Sequence, residues 1–242
     1  MLTEFDKITI IGDIHGRNIW KKIVEKESDS DFFIFLGDYF DSYDNLTPGA
    51  EINNFKEILK FKDENPHKVI LLVGNHDLHY IIDDSWSRYS IYTQELLNNL
   101  KFKDLIVNGT LQACKHFKSK DLWFVHAGIS NTWLRNYRLF LDEKEINDLL
   151  ITNPQCFGFL GNSYSDPYGD DVFQSPTWIR PTSLHEDLPH SGIQFVGHTQ
   201  IKNSEFSGLS DLNFCDSLEW GRYYVYEQNP ITLGFEYNLK EI

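Results

Sequence analysis

Short apolar runs recur along the chain, and most of them end at or next to a glycine. They are rich in Ile, Val and Phe and are too short for typical helices, which favours buried strands. The predicted strands lie at 7–12, 31–37, 68–74, 121–128, 192–197, 212–217 and 222–228.

Stretches with helical character separate the early runs, at 16–27, 50–63 and 90–100. In the second of these, Ile52, Phe55 and Ile58 form an apolar stripe at helical spacing. This alternation predicts a βαβ-rich sheet early in the chain, and the closer spacing of the later runs predicts a second sheet. No repeat or Pro/Gly/Ser-rich linker divides the sequence, so we predict one domain over residues 1–242.

The composition excludes several classes of protein. The 18 Phe, 12 Tyr and 6 Trp are too many for a disordered chain. The formal net charge of −14 disfavours a non-specific binder of nucleic acid or of anionic membranes. A small anionic substrate stays open, because bound divalent cations reverse such a field locally.

The three cysteines, Cys114, Cys156 and Cys215, are far apart and lack CxxC spacing. They predict neither a disulfide framework nor a thiolate zinc site, but idle thiols in a reduced compartment. The first residues lack a basic, signal-like segment, and no apolar stretch is long enough to cross a membrane. We therefore predict a soluble, cytoplasmic protein with no membrane partner.

Five of the predicted strands lead into a short polar motif that contains glycine. The motifs are GDIHG (12–16), GDYFD (37–41), GNHD (74–77), HAG (126–128) and GHT (197–199). Each alone is a weak signal, since such residues also occur in ordinary turns. Ligands collect at the carboxyl ends of strands in open α/β sheets, so the five together predict one convergent site.

The polar residues of these motifs form a mixed set of carboxylate, imidazole and carboxamide donors, which suits divalent transition metals such as Mn, Fe or Zn. Six such ligands suffice for two ions only if one of them bridges, most economically a carboxylate. Two ions can hold a hydroxide between them and clamp both sides of an in-line phosphoryl displacement. The predicted ligands are Asp13, His15, Asp38, Asn75, His126 and His198.

The ordered series GDIHG, GDYFD, GNHD, HAG and GHT resembles the five-block signature of the calcineurin-like metallophosphoesterases. The first three blocks are similar to those of the phosphoprotein-phosphatase branch and its bacterial and phage relatives. The resemblance implies an α/β fold, a four-layer α/β/β/α sandwich of two mixed sheets flanked by helices.

The resemblance also assigns the ligands. It implies that Asp13 and His15 bind the first metal and that Asp38 bridges both. Asn75, His126 and His198 would then bind the second. The implied cofactors are two divalent ions, manganese first, with iron, zinc or nickel as alternatives.

His76 and Asp41 are the predicted catalytic pair. In the resemblance, the histidine of the GNH block lies beside the leaving group, and the second Asp of GDxxD orients it. An adjacent carboxylate raises an imidazole pKa, which suits a general acid for the departing alkoxide. The alternative is a neutral histidine that only positions a phosphate oxygen.

The sequence departs from the phosphoprotein-phosphatase pattern after Asp41, where Ser42 replaces a phosphate-binding arginine. Arg180, in the segment 175–181 that resembles a Trp-x-Arg block, is the predicted substrate-binding residue; the alternative is a surface arginine. Asp216 is a candidate to orient His198 or His126, or else a turn residue.

Two further features remain open. The segment 156–175 is either a substrate-selecting loop, whose Asp166, Asp170 and Asp171 disfavour polyanions, or an ordinary solvated loop. The remaining histidines are predicted at the surface, with His79 left open because it follows the GNHD block. They are His67, His79, His116, His185 and His190.

The predicted function is a dinuclear metal-dependent phosphomonoesterase of the serine/threonine protein phosphatase type, working by direct attack of the metal-bridging hydroxide. Its partners would be phosphopeptides or small phosphoesters, with nucleic acid disfavoured. The alternative is a hydrolase of dinucleoside polyphosphates of the diadenosine tetraphosphate type. Nuclease activity ranks third, and a non-catalytic scaffold of the same fold ranks lowest because all six ligands are present.

Overall fold

Two mixed β-sheets form the centre of the protein in a computed structural model, which describes residues 5–82, 84–160, 168–200, 211–229, 232 and 234–242. Strands β1 to β10 are numbered in chain order. The first sheet has the order β10-β9-β1-β2-β3-β4, and the second has the order β5-β6-β7-β8. The first sheet contains β1 (Lys7–Ile11), β2 (Phe32–Phe35), β3 (Val69–Leu72), β4 (Leu111–Gln112), β9 (Arg222–Gln228) and β10 (Phe235–Glu241). The second contains β5 (Cys114–Phe117), β6 (Leu122–Val125), β7 (Ile193–Val196) and β8 (Leu212–Phe214).

The strands that precede the polar motifs run parallel. In the first sheet β1, β2 and β3 are parallel, with Ile10 opposite Ile34 and Ile34 opposite Ile70. In the second sheet β6 and β7 are parallel. Parallel strands bring their carboxyl ends to one edge of a sheet, so each sheet delivers its motifs to a single edge.

Eight α-helices lie on the outer faces or in the connections among the described residues. They are α1 (Trp20–Lys26), α2 (Pro48–Glu64), α3 (Asn75–Leu78), α4 (Ile91–Asn99), α5 (Asp104–Val107), α6 (Asn131–Tyr137), α7 (Glu143–Thr152) and α8 (Pro181–Glu186). Helix α2 begins where Thr47 caps it, since its hydroxyl accepts a hydrogen bond from the Ala50 N–H. No helix among the described residues is long and apolar enough to cross a membrane.

The main core fills the space between the sheets and the space under the helices. Alternate residues of β1, β2 and β3 face the second sheet, where Ile8, Ile34 and Leu72 pack with Phe124 and Phe195. The opposite faces of the sheets pack against helices. There Phe35 and Leu71 lie with Phe55 of α2, and Val125 lies with Trp133 of α6. The arrangement confirms the predicted four-layer α/β/β/α sandwich.

The structure changes several predicted boundaries. The helix predicted at 16–27 begins only at Trp20, because residues 14–16 pair by hydrogen bonds with the loop after β2. The run 222–228 does not complete the second sheet. It forms β9, antiparallel to β1 at the edge of the first sheet. Strand β10, which pairs with β9, was not predicted because its half-exposed sequence has no continuous apolar run.

Glu27 ties the end of α1 to the first sheet. Its carboxylate accepts a hydrogen bond from the Tyr223 hydroxyl at 2.6 Å and lies 2.7 Å from the Lys7 ammonium. Burial opposes ionisation, but these two partners outweigh it and hold the pKa of Glu27 below its usual value. A carboxylate with a depressed pKa stabilises the folded state above its unfolded pKa and loses that contribution as the pH falls through its folded pKa.

Replacing Glu27 by Gln is expected to lower the free energy of unfolding by about 1–3 kcal/mol at neutral pH. The difference from wild type should shrink as the pH falls from the usual carboxyl pKa through the lower folded pKa of Glu27, where the wild-type carboxylate becomes protonated. Urea unfolding at several pH values measures both effects. Glu241→Gln removes only an exposed contact with Arg222 and should cost no more than about 0.5 kcal/mol; an equal loss in both variants would contradict the prediction.

Candidate metal centre and active site

The polar motifs of both sheets meet at one place. Five of the six predicted metal ligands lie within three residues of the end of a strand, and His15 lies four residues after β1. The loops after β1 and β2 are joined by backbone hydrogen bonds, including one from the His15 N–H to the Asp38 carbonyl. Four motif residues hold left-handed backbone conformations, which are unfavourable for residues other than glycine and are typical of functional sites. They are His15, Asp38, Asp41 and His198.

The predicted ligands form two groups that share one residue. One group consists of Asp13, His15 and Asp38, and the other of Asp38, His126 and His198. Within each group one donor atom per residue lies within 4.8 Å of the others. The Asn75 side-chain oxygen joins the second group, 3.0 Å from His126 Nε2. Asp38 therefore occupies the position that the sequence predicts for a bridging carboxylate.

Two of the imidazoles are fixed with a lone pair toward this centre. The Nδ1 atoms of His15 and His126 lie 2.8 Å from the backbone carbonyls of Phe40 and Leu36, respectively, where each can donate a proton. Their Nε2 atoms lie 3.7 and 3.5 Å from oxygens of Asp38. Burial lowers the pKa of both rings, that of His15 to about 4, so the neutral form is favoured. Backbone partners of this kind orient histidine ligands for a metal.

The third imidazole, that of His198, gives the most direct indication of a ligand at this centre. Its Nε2 atom is buried and has no hydrogen-bond partner among the described residues. Burial lowers the pKa of His198 well below the usual value, so the neutral ring is favoured. A buried polar atom without a partner is unfavourable unless a ligand supplies the missing contact.

Two glycines allow the carboxylates to approach. A Cβ atom on Gly74 would lie 2.1 Å from Asp38 Oδ1, and one on Gly197 would lie 2.3 Å from Asp13 Oδ1. Both distances are far shorter than any real contact. Glycine is thus required beside both carboxylates, which explains its place in the GNH and GHT blocks.

The carboxylates repel one another in the absence of cations. Burial and the charges of Asp216 and Asp38 raise the pKa of Asp13, and burial and Asp38 raise the pKa of Asp216 to about 7. Burial acts on Asp38 in the same direction, but the surrounding imidazoles, first of all His126, lower its pKa. Neutral imidazoles and several carboxylates thus face the same centre, and His198 Nε2 has no partner there among the described residues. This set of donors fits divalent cations.

A second histidine cluster lies beside the ligands. His76 Nδ1 donates to Asp41 Oδ2 at 2.9 Å, and the Tyr80 hydroxyl donates to Asp41 Oδ1. Burial opposes protonation of His76, but the charges of Asp38 and Asp41 outweigh it and raise its pKa. Bound cations would offset the contribution of Asp38. The hydrogen bond to Asp41 would then be the contribution that persists.

His79 belongs to this cluster, which settles its position. It is only 2 % exposed, and its Nε2 lies 2.8 Å from Asp41 Oδ2. The geometry is not that of a hydrogen bond, because the ring N–H is not directed at this oxygen. His116 is also not a free surface residue, since it stacks on Trp123 at 4.0 Å. The other three histidines predicted at the surface are exposed: His67, His185 and His190.

Asp77 is a residue whose role sequence reasoning missed. Its carboxylate is fully buried and accepts hydrogen bonds from the backbone N–H groups of Asp38, Tyr39 and Gly74 at 2.7–2.8 Å. Burial and the Asp38 charge raise its pKa, while the three donors oppose this shift. Asp77 therefore holds together the loops after β2 and β3, which carry Asp38, Asn75 and His76. Asp77 is visible in the sequence as the last residue of the GNHD block, but its hydrogen-bond partners can be identified only from the tertiary structure.

Replacing Asp77 by Ala is expected to lower the free energy of unfolding by about 3–5 kcal/mol, because it leaves three buried N–H donors without an acceptor. Urea unfolding of the metal-free protein measures this effect separately from metal binding. Asp63→Ala, on the exposed side of α2, should stay within about 0.5 kcal/mol of wild type. A loss at Asp77 no greater than at Asp63 would contradict the anchoring role.

A cavity of about 670 Å³ opens over the metal ligands and contains Arg180 in its wall. The Arg180 guanidinium donates to the carbonyls of Tyr168 and His198 and to the Thr199 hydroxyl. The structure thus places the predicted phosphate ligand at the cavity, half-buried beside the second ligand group. Its role as a phosphate ligand stays a prediction.

Arg88 contacts the loop after Asp41, where Ser42 replaces the arginine of the phosphoprotein-phosphatase pattern. Arg88 Nη1 donates to the Ser42 carbonyl at 3.0 Å, and the guanidinium lies 4.0 Å above the ring of Tyr43. The Tyr43 ring in turn lies 5.0 Å from His15. Arg88 belongs to no motif, so nothing in the sequence indicated that its charge lies near the loop after Asp41.

The described part of the segment 156–175 contributes Tyr168 to the cavity. Asp170 instead accepts a hydrogen bond from the Ser183 N–H at the start of α8, and Asp171 accepts one from the Phe173 N–H. Neither carboxylate lines the cavity, and both alternatives for the segment stay predictions. Asp166 lies outside the described residues.

Asp216 lies at the cavity but does not orient a histidine. Its carboxylate lines the cavity and, among the described residues, makes no hydrogen bond with His126 or His198. It adds negative charge beside Asp13 instead.

Comparison with known families identifies the family of the chain. The model of the calcineurin-like phosphoesterases matches residues 6–202, which include all five motifs. The chain belongs to the calcineurin-like phosphoesterase family. This metallophosphoesterase is therefore a metal-dependent phosphatase, in agreement with the predicted enzyme class.

Solved structures agree with the fold of the metallophosphoesterase. A mutant of a cold-active protein tyrosine phosphatase is 17% identical with a TM-score of 0.60, covering 98% of this chain and 82% of that one. A protein serine/threonine phosphatase from Saccharomyces cerevisiae with similarity to human phosphatase PP5 is 14% identical with a TM-score of 0.59, covering 99% and 81%. At these identities the likeness concerns the fold alone. Comparison with curated proteins finds no match.

Proposed function

We propose that this metallophosphoesterase is a phosphomonoesterase of the serine/threonine protein phosphatase type that acts with two divalent ions on phosphopeptides or small phosphoesters. The observation that supports it most is the place of Asp38, shared by two ligand groups, next to the His76–Asp41 pair. The proposal treats residues 1–242 as one domain. A cytoplasmic location stays a prediction.

Each proposed ligand has its donor atom at the centre. Asp13, His15 and Asp38 would hold one ion, while Asp38, Asn75, His126 and His198 would hold the other. Bound ions would supply Lewis-acid activation of water and stabilise negative charge on the phosphoryl oxygens. We propose manganese as the ion, with iron, zinc or nickel as alternatives, because the same mixed donor set accepts several first-row metals.

The residues around the ligands would bind the phosphate and assist the leaving group. Arg180 would donate to phosphoryl oxygens from one wall of the cavity. His76 would hold a proton on Nε2 for the departing alkoxide, while Asp41 fixes its Nδ1 and favours the charged ring. The phosphoester bond breaks as water adds to phosphorus, so the products are an alcohol and inorganic phosphate.

The test measures phosphate release by metal-free protein before and after addition of manganese. The substrates are p-nitrophenyl phosphate, a phosphoserine peptide and diadenosine tetraphosphate, and Asp38→Asn serves as the inactive control. Manganese-dependent release from the first two substrates supports the proposal. Release from diadenosine tetraphosphate alone would replace it with the dinucleoside polyphosphate hydrolase. Equal background rates in both proteins, with metal shown to be bound, would leave a non-catalytic scaffold.

A further inference from the structure

One side of the cavity is an aromatic wall formed by Trp86, Phe159 and Trp178. The Trp86 ring lies 4.6 Å from Phe159 and 5.5 Å from Trp178, and Phe159 lies 5.1 Å from Trp178. The three rings come from separate segments of the chain and are inclined to one another. Both indoles line the cavity, while Phe159 packs against them.

The wall lies directly beside the metal ligands. The Trp178 ring is 5.8 Å from the ring of His198, a member of the second ligand group. A group that rests on the wall would therefore be close to a phosphoryl group held at the ligands. The wall and the centre belong to one continuous cavity.

The polar edge of Trp86 already has a partner. Its indole N–H donates to Asp84 Oδ2 at 2.6 Å. A ligand therefore has no hydrogen bond to supply there. What Trp86 offers a ligand is the apolar face and edge of the ring, which favour offset or edge-to-face packing with another aromatic ring.

Aromatic surface also lines other parts of the cavity. Tyr43 is 51% exposed and Tyr168 is 75% exposed, and both line it. The Tyr43 ring lies edge-on to His15 and carries the Arg88 guanidinium on a face. The cavity volume of about 670 Å³ greatly exceeds the space that a phosphate group fills. Exposed aromatic surface in a concave site is typical of ligand binding.

We infer that the aromatic wall is a subsite for a planar aromatic ring carried by the alcohol portion of the phosphoester substrate. The inference rests on the proposed phosphoesterase function and ranks its substrates: among phosphopeptides and small phosphoesters, those that carry an aromatic ring would bind more tightly than phosphoserine. Phosphotyrosine and nucleotides both carry such a ring, whereas a phosphoserine side chain does not. The shared chemistry is a phosphate ester whose alcohol portion carries a planar aromatic ring.

The test compares two non-hydrolysable ligands by calorimetry with the manganese-loaded protein. Benzylphosphonate and cyclohexylmethylphosphonate share the acidic group and a six-membered ring, and they differ in aromaticity. We expect benzylphosphonate to bind about three- to tenfold more tightly. Trp86→Leu should reduce this ratio to less than about twofold, whereas Trp86→Phe should preserve most of it. Phe140→Leu, an exposed aromatic residue outside the cavity, should leave the ratio unchanged.

Equal affinities in wild type, or no binding of either ligand, would overturn the subsite. So would a ratio that survives in Trp86→Leu while circular dichroism shows the native fold. If that variant does not fold, the wild-type ratio and Trp86→Phe decide. A preference for benzylphosphonate without phosphate release from any ester would keep the subsite and remove the proposed phosphatase. Manganese-dependent hydrolysis with equal affinities for the two phosphonates would keep the proposed phosphatase and remove the subsite.

The source of the ring is distinguished by two further substrates. A phosphotyrosine peptide and a nucleoside monophosphate are compared by the factor by which Trp86→Leu lowers kcat/KM for each. The physiological ring type should show the larger factor. A phosphoserine peptide should show a change of less than about twofold, because it reaches the metal ligands without a ring on the wall. A uniform factor for all three substrates would contradict the subsite.

Discussion

Asp38→Asn is expected to lower metal-dependent phosphate release at least about a thousandfold, because charge stabilisation by the ions is worth several kcal/mol in the transition state. Asp38 is the residue common to both ligand groups. An amide has one neutral oxygen acceptor in place of two charged ones. It can keep the hydrogen bond from the His76 N–H, but it cannot offer an anionic oxygen to each ion.

The same substitution should not destabilise the metal-free protein. Asp13, Asp77 and Asp216 have pKa values raised by burial and by the charge of Asp38. Removing that charge relieves repulsion, so the metal-free melting temperature should be unchanged or higher. The rise in Tm on addition of manganese should largely disappear, because ligand stabilisation depends on affinity.

Three measurements check this prediction: kcat, the number of bound metal ions and Tm with and without manganese. Asp44→Asn is the matched control, because Asp44 lies on the neighbouring loop, is half exposed and pairs with Arg17 rather than with a ligand. It should keep activity within about twofold. An Asp38→Asn protein that retains two ions and a tenth of the wild-type rate would contradict the bridging role.

His76→Asn is expected to slow hydrolysis of an alkyl phosphate ester by about 10²–10⁴-fold, the usual contribution of a general acid. The loss with p-nitrophenyl phosphate should be much smaller, because p-nitrophenolate leaves without a proton. A histidine that only positions a phosphate oxygen would instead give similar losses with both substrates. Single-substrate kinetics on the two esters therefore separates the acid from the alternative.

The pH dependence supplies an independent check on His76. Burial disfavours the imidazolium, whereas Asp38 and Asp41 raise its pKa. With bound cations offsetting Asp38, the contact with Asp41 is the contribution that keeps the pKa raised. The protonated form exists below this pKa, so the rate on alkyl esters should fall as the pH rises through it. Asp41→Asn removes the carboxylate charge that accepts from His76 Nδ1 and should shift the descending limb to lower pH. His185→Asn, at an exposed position, should leave the profile unchanged; a profile that is the same in Asp41→Asn would contradict the pair.

The chain pattern predicted the fold class and the convergence of the motifs for a physical reason. Buried parallel strands read as continuous apolar runs, and their carboxyl ends must meet at one edge of a sheet. That is why residues as distant as Asp13 and His198 were predicted as neighbours, and in the structure the His198 N–H donates to the Asp13 carboxylate. The edge strand β10 was missed because half-exposed strands lack such runs.

The sequence by itself determined the donor types, their order and the strands that deliver them, since these depend on local pattern and glycine-bounded turns. Tertiary structure alone decided which groups meet around them. Four contacts join segments that are separate in the sequence. They are the Asp38 and Tyr39 backbone donors on Asp77, the place of His79 on Asp41, the guanidinium of Arg88 over Tyr43 and the contact between Trp86 and Trp178. Such contacts depend on how the loops pack against one another in three dimensions, and no local spacing along the chain encodes that packing.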